Sequence, residues 1–243
     1  MKIIAHRGAS GEFPENTLLA FEQAIKQKAD GIELDAQYHR ASGKFVLLHD
    51  SYVTNKAGNE CHFDELSLNE LLLITKNNQA ITTLDKALTT IGGRCLVNIE
   101  LKTSVDDASN INTIVQALKE LLNEFTKSQQ FTYAQFIIST FNHPLLLIVK
   151  RYIPAVKTAV LIAHCPLTIN QYKTLLQVHS INPSIECLNQ KLVSDIHKLG
   201  LTVWVYTVDR AVNIEQCKRW GVDAIFTNYP ARTKLIVEAN NNF

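Results

Sequence analysis

Three acidic residues of this 243-residue chain lie in strongly apolar segments, where an isolated charge is costly. Glu33 and Asp35 are two residues apart in GIELD, and Glu100 lies in LVNIELK. Residues two apart on a strand share a face. Carboxylates that converge repel each other unless a cation lies between them, and hard oxygen ligands suit Mg²⁺, Ca²⁺ or Mn²⁺ better than zinc. We therefore predict a site for one divalent cation, with Mg²⁺ or Ca²⁺ ahead of Mn²⁺.

Two histidines and two basic residues occupy comparable positions. His6 ends the first apolar segment, directly before Arg7, and His49 follows the apolar segment FVLL. Histidine titrates near neutral pH, and two such groups beside a metal form an acid/base pair for displacement at phosphorus. Arg7 and Lys102 could hold phosphate oxygens, Arg through a two-pronged contact and Lys as a point charge. The alternative for Lys102 is a structural ion pair with Glu100.

Short apolar segments alternate with helical patterns along the whole chain. We predict eight strands, at 2–6, 31–35, 96–102, 135–140, 157–162, 180–184, 202–208 and 224–228. We predict eight main helices, at about 16–28, 84–91, 106–127, 144–151, 168–178, 189–199, 211–220 and 230–239. Ser67 and Glu70 have the spacing of a capping box, which predicts one further short helix.

Eight strands that alternate with eight helices predict an α/β protein with parallel strands and right-handed crossovers. The number of units and the chain length fit a single (β/α)8 TIM barrel over residues 1–243. A doubly wound open sheet would give the same alternation and is the alternative. In a (β/α)8 barrel the active site lies at the carboxyl ends of the strands, which is where His6, Asp35 and Lys102 fall.

One segment does not fit the alternation. Between Asp35 and His49 there is no room for a crossover helix, and AQYHRASGKFVLLHD has the pattern of a β-hairpin with its turn near Ser42 and Gly43. A turn centred at Ser42 pairs residue 35 with residue 49 and brings His49 beside Asp35. We predict a hairpin and small insertion after strand 2, over 37–82, where a long connection is usually functional.

The composition narrows the class of protein. Apolar residues make up 46%, and 24 basic residues nearly balance 23 acidic ones, which argues against nucleic-acid binding through bulk positive charge. Five cysteines without a CxxC pair favour a reducing compartment. No apolar segment is long enough to span a bilayer, and the start lacks the apolar core of a signal peptide. We expect a soluble cytoplasmic protein that binds a small-molecule substrate, without nucleic acid or stable membrane insertion.

Taken in order, the motifs resemble those of the glycerophosphodiester phosphodiesterases. The resemblance rests on HRGASGEFPENTLLAF, GIELD, VLLHD and NIELK, and it continues with STF at 139–141, VWVYTVD at 203–209 and GVDAIFTNYP at 221–230. It covers nearly the whole chain, and the ordered set is specific where each motif alone would be weak. It implies a (β/α)8 barrel with an insertion after strand 2. It also implies hydrolysis of glycerophosphodiesters, such as deacylated phospholipid headgroups, to sn-glycerol 3-phosphate and an alcohol.

The resemblance assigns a role to each of these positions. It implies three metal ligands, Glu33, Asp35 and Glu100. It implies two catalytic acid/base histidines, His6 and His49. It implies two phosphate-binding residues, Arg7 and Lys102, and two residues of the substrate pocket, Glu15 of PENT and Trp204. The alternative for Trp204 is the barrel core.

The chain departs from the family pattern at positions outside this set. The turn after ELD is one residue longer, and Asn55 and Lys56 stand where an Arg-Thr pair is common. VWVYTVD ends in Asp209 where Asn is frequent, and TNYP has Asn228 where Asp is usual. These departures bear on the preferred alcohol and on the contacts of the insertion, and not on the class of reaction.

Two other functions stay open. A phospholipase D-like enzyme that cleaves a lysophospholipid or a sphingolipid would need an apolar groove. A catalytically silent barrel that acts as a binding module would have lost a ligand or a histidine, and every proposed catalytic position is filled here.

Overall fold

A computed structural model describes residues 1–76, 79–103, 107 and 109–239. The strands in these ranges are β1 (Lys2–His6), β2 (Gly31–His39), β3 (Lys44–Leu47), β4 (Tyr52–Thr54), β5 (Glu60–His62), β6 (Thr75–Lys76), β7 (Gln79–Ala80), β8 (Leu96–Lys102), β9 (Phe136–Thr140), β10 (Lys157–Ile162), β11 (Ser180–Pro183), β12 (Thr202–Val205) and β13 (Ala224–Thr227).

Eight of these strands, β1, β2 and β8 to β13, form a closed parallel barrel in that order. The barrel closes because β1 pairs with both β2 and β13. The predicted TIM barrel is therefore confirmed, and the alternative of an open sheet is wrong.

Helices follow the barrel strands and cover the outside of the barrel. The α-helices in the described ranges are α1 (Leu18–Lys26), α2 (Leu68–Leu72), α3 (Leu84–Ile91), α4 (Ile111–Lys127), α5 (His143–Tyr152), α6 (Asn170–Thr174), α7 (Gln190–Lys198), α8 (Ala211–Trp220) and α9 (Pro230–Ala239). The bounds of α3, α8 and α9 match the prediction, whereas α6 is a single turn in place of the predicted 168–178. The start predicted for α4, at about 106, falls partly on residues 106 and 108, which lie outside the described residues. None of the described helices combines the length and apolar character that crossing a bilayer requires.

Apolar residues fill two layers, as expected for parallel strands that are buried on both faces. One layer lies inside the barrel, where Ile4, Ile137, Trp204 and Phe226 pack together. The other lies between the strands and the surrounding helices. The polar residues at the strand ends therefore stand on a rigid, closely packed base.

The hairpin predicted after strand 2 is present, and its register differs from the prediction by one residue. The Leu48 N–H donates to the Asp35 carbonyl oxygen, so the predicted pairing of residue 35 with residue 49 is wrong. The turn takes four residues, 40–43, in place of a turn centred on Ser42, and Gly43 closes it at φ +68°. His49 consequently lies beyond the paired residues, in the loop that follows β3.

The insertion continues from β3 to α3 and has a small core of its own. It contains the β4–β5 and β6–β7 hairpins and the predicted short helix α2, for which Ser67 and Glu70 form both hydrogen bonds of a capping box. Phe63 and Leu71 pack against Val46 of β3. The insertion is thereby held beside the mouth of the barrel.

Candidate active site

The turn after β1 places His6 and Arg7 at the mouth of the barrel. Arg7 adopts φ +56°, and its backbone N–H donates to Glu33 Oε2 at 2.9 Å. Gly8 follows at φ +83°, and a Cβ at this position would lie 2.7 Å from backbone and side-chain atoms of Ala20. Glycine is required here both by its backbone conformation and by the close approach of α1.

Glu33, Asp35 and Glu100 converge where β2 and β8 end side by side. Asp35 lies opposite Glu100 in the strand register, and one oxygen atom from each of the three carboxylates lies within 4.8 Å of the others. Glu33 is 3% exposed and Asp35 is 1% exposed. Among the described residues, Glu33 Oε1 has no hydrogen-bond partner. A buried oxygen atom is thus available at the point where the three charges meet.

The ionised forms of these carboxylates are disfavoured in the metal-free protein. Burial raises the pKa of Glu33 well above its ordinary value, and the charges of Asp35 and Glu100 raise it further. Burial, followed by the charge of Asp35, also raises the pKa of Glu100. A divalent cation would reverse these effects by placing positive charge among the carboxylates. The oxygen-only donor set fits a hard cation such as Mg²⁺, Ca²⁺ or Mn²⁺.

Arg7 and Lys102 lie directly against the same carboxylates. Arg7 Nε is 3.1 Å from Asp35 Oδ2, and Arg7 Nη1 donates to Glu15 Oε2 at 2.9 Å. Lys102 Nζ is 2.8 Å from Glu100 Oε1 and 3.2 Å from Asp35 Oδ1. Burial alone would lower the pKa of Lys102, but the charges of Asp35 and Glu100 outweigh it and the pKa is raised. The ion pair of Lys102 with Glu100 is thus present. The positive charges of Arg7 and Lys102 partly neutralise the three carboxylates.

Asn16 is a site residue that the sequence predicted only as part of a helix start. Its side chain is 4% exposed, its Nδ2 donates to Asp35 Oδ2 at 2.9 Å, and its Oδ1 accepts from the Asp35 N–H at 3.1 Å. These two bonds fix the orientation of the Asp35 carboxylate. The signal in the sequence was the position of Asn16 next to Glu15 in PENT.

His6 lies on one side of the carboxylate cluster. Its Nε2 is 4.0 Å from Glu33 Oε2. Burial, and then the charge of Arg7, lower the pKa of His6. The other ring nitrogen, Nδ1, lies 2.8 Å from Asn228 Oδ1, and Asn228 Nδ2 donates to Asp209 Oδ2 at 2.6 Å. Asn228 and Asp209, two of the residues that depart from the family pattern, therefore contact each other behind His6.

His49 lies on the other side of the cluster, in the loop after β3. Its side chain is 39% exposed, and its Nδ1 is 2.8 Å from Asp50 Oδ1. Gln37 holds this loop, since its Nε2 donates to the carbonyl oxygens of Leu48 and His49 at 2.9 and 3.4 Å. Ser51 Oγ in turn donates to Gln37 Oε1 at 2.9 Å. Gln37 is a second site residue that the sequence did not single out.

The aromatic wall of the site is Tyr206. Tyr206 lines a small cavity at the barrel mouth together with His6, Glu33 and Glu100, and its hydroxyl donates to the Ile162 carbonyl oxygen at 2.9 Å. Trp204, the residue predicted for the pocket, is 4% exposed and packs in the barrel interior, one layer below. Residues two apart along the chain share a face, so Trp204 and Tyr206 both point inward, and Trp204 occupies the barrel core that was the alternative for it.

Two larger cavities lie beside the 48–51 loop, one against Glu100 and the other against His49. A polar cavity of about 210 Å³ is lined by residues that include Gln37, Arg40, Ser51, Glu100, Lys102 and Asn142. A cavity of about 350 Å³ lies toward the insertion, with His49 and Glu15 in its lining. Its apolar lining residues are Leu47, Leu48, Val53, Ile74 and Ile81.

Known proteins match this chain along nearly its whole length. A glycerophosphodiester phosphodiesterase from Caldanaerobacter subterraneus subsp. tengcongensis is 32% identical over 238 residues, which are 94% of each chain. A glycerophosphodiester phosphodiesterase from Bacillus altitudinis is 30% identical, over 98% of each chain.

The fold is also found in solved structures. The structure of an Oleispira antarctica phosphodiesterase in complex with its product sn-glycerol-3-phosphate superposes with a TM-score of 0.87, at 24% identity, and covers 98% of this chain and 97% of the other. The sequence profile of the glycerophosphoryl diester phosphodiesterase family matches residues 6–232. Because this match spans nearly the whole sequence and agrees with the full-length relatives, the chain belongs to the glycerophosphoryl diester phosphodiesterase family.

Proposed function

We propose that this chain hydrolyses glycerophosphodiesters to sn-glycerol 3-phosphate and an alcohol, with one divalent cation held by Glu33, Asp35 and Glu100. The observation that carries the proposal is the convergence of three carboxylates at the mouth of the barrel, with Glu33 and Asp35 buried and Glu100 half-buried. His6 lies beside Glu33, and His49 is close enough to Glu100 to act on its charge. The relatives support the substrate class, because two of them are named glycerophosphodiester phosphodiesterases. The bound product of the Oleispira protein is also the product proposed here.

The charged residues of the site would each make a different contribution to substrate binding. The cation, when bound, shields the phosphate charge and polarises a hydroxyl group of the substrate. Arg7 and Lys102, which lie beside the cluster, would hold phosphate oxygens by charge-assisted hydrogen bonds. Glu15 orients the Arg7 guanidinium through their 2.9 Å contact.

His6 and His49 move the protons of the reaction. A glycerophosphodiester carries a hydroxyl on the carbon next to the phosphorylated one. His6 takes the proton of this hydroxyl, whose oxygen attacks phosphorus while the bond from phosphorus to the leaving alcohol breaks. His49 protonates the leaving alkoxide, and water then opens the resulting five-membered cyclic phosphate. An internal nucleophile needs no separate capture, and such proximity lowers a barrier by ~7–11 kcal/mol at best.

Dependence on a cation is the first test. Chelation should abolish the release of glycerol 3-phosphate from glycerophosphocholine, and Mg²⁺, Ca²⁺ or Mn²⁺ added in excess of the chelator should restore it. Full turnover after exhaustive chelation, in a protein free of metal by elemental analysis, would contradict the proposed role of the carboxylates.

The route of attack needs a separate test, because direct attack by water would use the same two histidines. A substrate analogue that lacks only the neighbouring hydroxyl should bind, as measured by competition, and should not be hydrolysed. If this analogue is cleaved at a rate close to that of the parent, water attacks phosphorus directly.

The apolar cavity beside His49 favours a second candidate function, the phospholipase D-like cleavage of a lysophospholipid. The cavity adjoins the proposed acid/base residue, and its apolar lining could take a short acyl chain. A phospholipase D-like activity needs an apolar groove, and this cavity could serve as one.

The two functions differ in their dependence on chain length. For 1-acyl glycerophosphocholines with chains of four to eight carbons, a chain bound in this cavity should raise kcat/KM by about three- to fourfold per methylene. Ile81→Asn should flatten the dependence, whereas Leu167→Asn in an exposed loop should not. A kcat/KM highest for the deacylated compound would exclude the second function and leave the first intact.

A further inference from the structure

We propose that Asp209, acting through Asn228, is a positioning residue that fixes His6 in the tautomer with hydrogen on Nδ1. Asp209 precedes α8 and Asn228 follows β13, so neither lies near His6 in the sequence. The inference rests on the proposed function, in which His6 takes a proton from the substrate. It explains how the chain prepares His6 for that step.

The orientation of the Asn228 amide follows from its two neighbours. A carboxylate only accepts hydrogen bonds, so the group 2.6 Å from Asp209 Oδ2 has to be the Asn228 NH₂. The Asn228 backbone N–H also donates to Asp209, at Oδ1 and 2.8 Å. With its NH₂ toward Asp209, Asn228 directs Oδ1 toward His6 Nδ1, at 2.8 Å. Ser10 Oγ donates to the same Oδ1 at 2.8 Å, which agrees with an acceptor there.

The orientation of Asn228 then sets the tautomer of His6. An amide oxygen cannot donate, so His6 Nδ1 has to carry the hydrogen in the 2.8 Å contact. The neutral ring therefore has its lone pair on Nε2, the atom that faces the carboxylate cluster. A ring with hydrogen on Nε2 would have no acceptor for the substrate proton, and would lose the bond to Asn228.

Asp209 is itself held firmly enough to act as the fixed end of this chain of bonds. Its carboxylate accepts from Thr227 Oγ1 at 2.9 Å in addition to the two bonds from Asn228. Its backbone carbonyl accepts from Arg232 at 2.8 Å. The loop after β12 and the end of β13 are thereby joined through one carboxylate, and Asn228 continues the link to His6 of β1. If Asp209 served only to hold its own loop, the choice of which Asn228 amide atom faces His6 would not matter.

Exchange of the two residues tests the inference. Asp209→Asn keeps one oxygen acceptor, which the Asn228 N–H and the Thr227 hydroxyl occupy, and turns its NH₂ toward the NH₂ of Asn228. The Asn228 amide is then no longer oriented with Oδ1 toward His6, so kcat should fall by ~10–100-fold, as for other partners that orient an active-site histidine. The double variant D209N/N228D restores one carboxylate and one amide and presents an acceptor to His6 Nδ1, so it should regain most of kcat. Asp223→Asn is the matched control, because Asp223 also accepts a backbone N–H and contacts a histidine, His197, away from the site.

The tautomer can be read without any substrate. In ¹⁵N spectra of the histidine rings, with His6 assigned by comparison with His6→Ala, the native protein and D209N/N228D should show hydrogen on Nδ1, and Asp209→Asn should show hydrogen on Nε2 in part of the molecules. Thermal unfolding checks that all variants are folded. An unchanged tautomer in folded Asp209→Asn, or no recovery of kcat in a folded double variant, would overturn the inference. A native protein with the expected tautomer and no turnover would contradict the proposed function alone.

Discussion

At the scale of single residues, the carboxylate cluster lowers the stability of the folded protein when no metal is bound. Burial and neighbouring like charges raise the pKa of Glu33 and of Glu100. A raised pKa means that the folded state tolerates the ionised form less well than the unfolded chain does. Strain of this kind is kept at functional sites, where activity requires it.

We predict that Glu33→Gln stabilises the metal-free protein. Between the ordinary pKa of a glutamate and the raised pKa of Glu33, the folded state binds more protons than the unfolded state, so stability falls as pH rises through this window. At neutral pH the neutral amide removes this penalty. The Tm of the chelated protein should therefore rise, as measured by thermal unfolding.

The control for this prediction is Glu215→Gln, at an exposed position of α8, which should leave Tm unchanged. The difference between Glu33→Gln and the native protein should also shrink as the pH falls through and below 4.5, because the glutamate of the unfolded chain then becomes protonated as well. A lower Tm for Glu33→Gln at neutral pH would mean that Glu33 stabilises the metal-free fold.

The histidines give a second prediction at this scale. His6→Ala and His49→Ala should each lower kcat by ~10²–10⁴-fold, the usual range for the loss of a positioned acid or base. His49 is partly exposed, so His49→Ala should leave Tm nearly unchanged. A near-native rate in either variant would remove that histidine from the mechanism.

The parts of the site that could be predicted from the sequence are those with a local signal. Glu33 and Asp35 share a face because they are two residues apart, and His6 and Glu100 stand out as polar residues in apolar strands. Gln37 gave no such signal, because an amide on a hairpin is ordinary, and the only signal for Asn16 was its place next to Glu15 in PENT. Their roles depend on contacts with backbone atoms of other segments, and these contacts exist only after folding.

At the scale of elements, the β2–β3 hairpin positions the loop that contains His49 at the site. Its pairing ends at Leu48, one residue before His49, so the histidine itself is not held by the ladder. The loop depends instead on Gln37, which bonds two carbonyl oxygens and the Ser51 hydroxyl. One buried amide therefore supports the loop that contains His49.

We predict that Gln37→Leu lowers kcat by ~10–100-fold, because a displacement of about 1 Å in a reacting group can cost 10²-fold. Gln37→Glu should also be impaired, because it keeps the acceptor for Ser51 and loses the donors to the two carbonyl oxygens. Gln116→Leu on the surface of α4, where Gln116 donates to exposed Glu120, is the control for the same substitution. A native rate in Gln37→Leu would show that the loop is held by other contacts.

The elements themselves were largely predictable, and their exact ends were not. Apolar runs of five to seven residues gave the barrel strands, and α3, α8 and α9 have their predicted bounds. The hairpin register failed because turns of three and four residues differ by one residue in pairing, and the sequence YHRASGK suits both. Helix α6 is short because residues 175–178 pack as a loop, which helical periodicity alone does not reveal.

At the scale of the whole molecule, the site forms only when the barrel closes. The contact of His6 with Asn228 joins residues 222 apart in sequence, and β1 lies between β2 and β13. The three carboxylates are likewise brought together by the parallel pairing of β2 and β8. An unfolded chain has no such cluster, so a cation bound there should stabilise the folded state.

We predict that Mg²⁺, Ca²⁺ or Mn²⁺ raises the Tm of the chelated protein. At a cation concentration 100 times Kd the gain is ~2.7 kcal/mol, or ~5–10 °C for a chain of this length. The gain should disappear in Glu33→Gln and persist in Glu215→Gln. Equal shifts in both variants would place the bound cation elsewhere on the protein.

The arrangement of Arg7 and Lys102 around the carboxylates has a consequence for turnover. The three carboxylates and these two cations sum to a formal charge of −1, since −3 + 2 = −1. A divalent cation brings the sum to +1, and a phosphodiester, a monoanion, brings it to zero. The product is a phosphate monoester with a charge of about −1.5 to −2 at neutral pH. The product therefore brings more negative charge to these groups than the substrate does, and the carboxylate of Glu15 beside Arg7 adds to it. This excess negative charge favours release once the bond is broken.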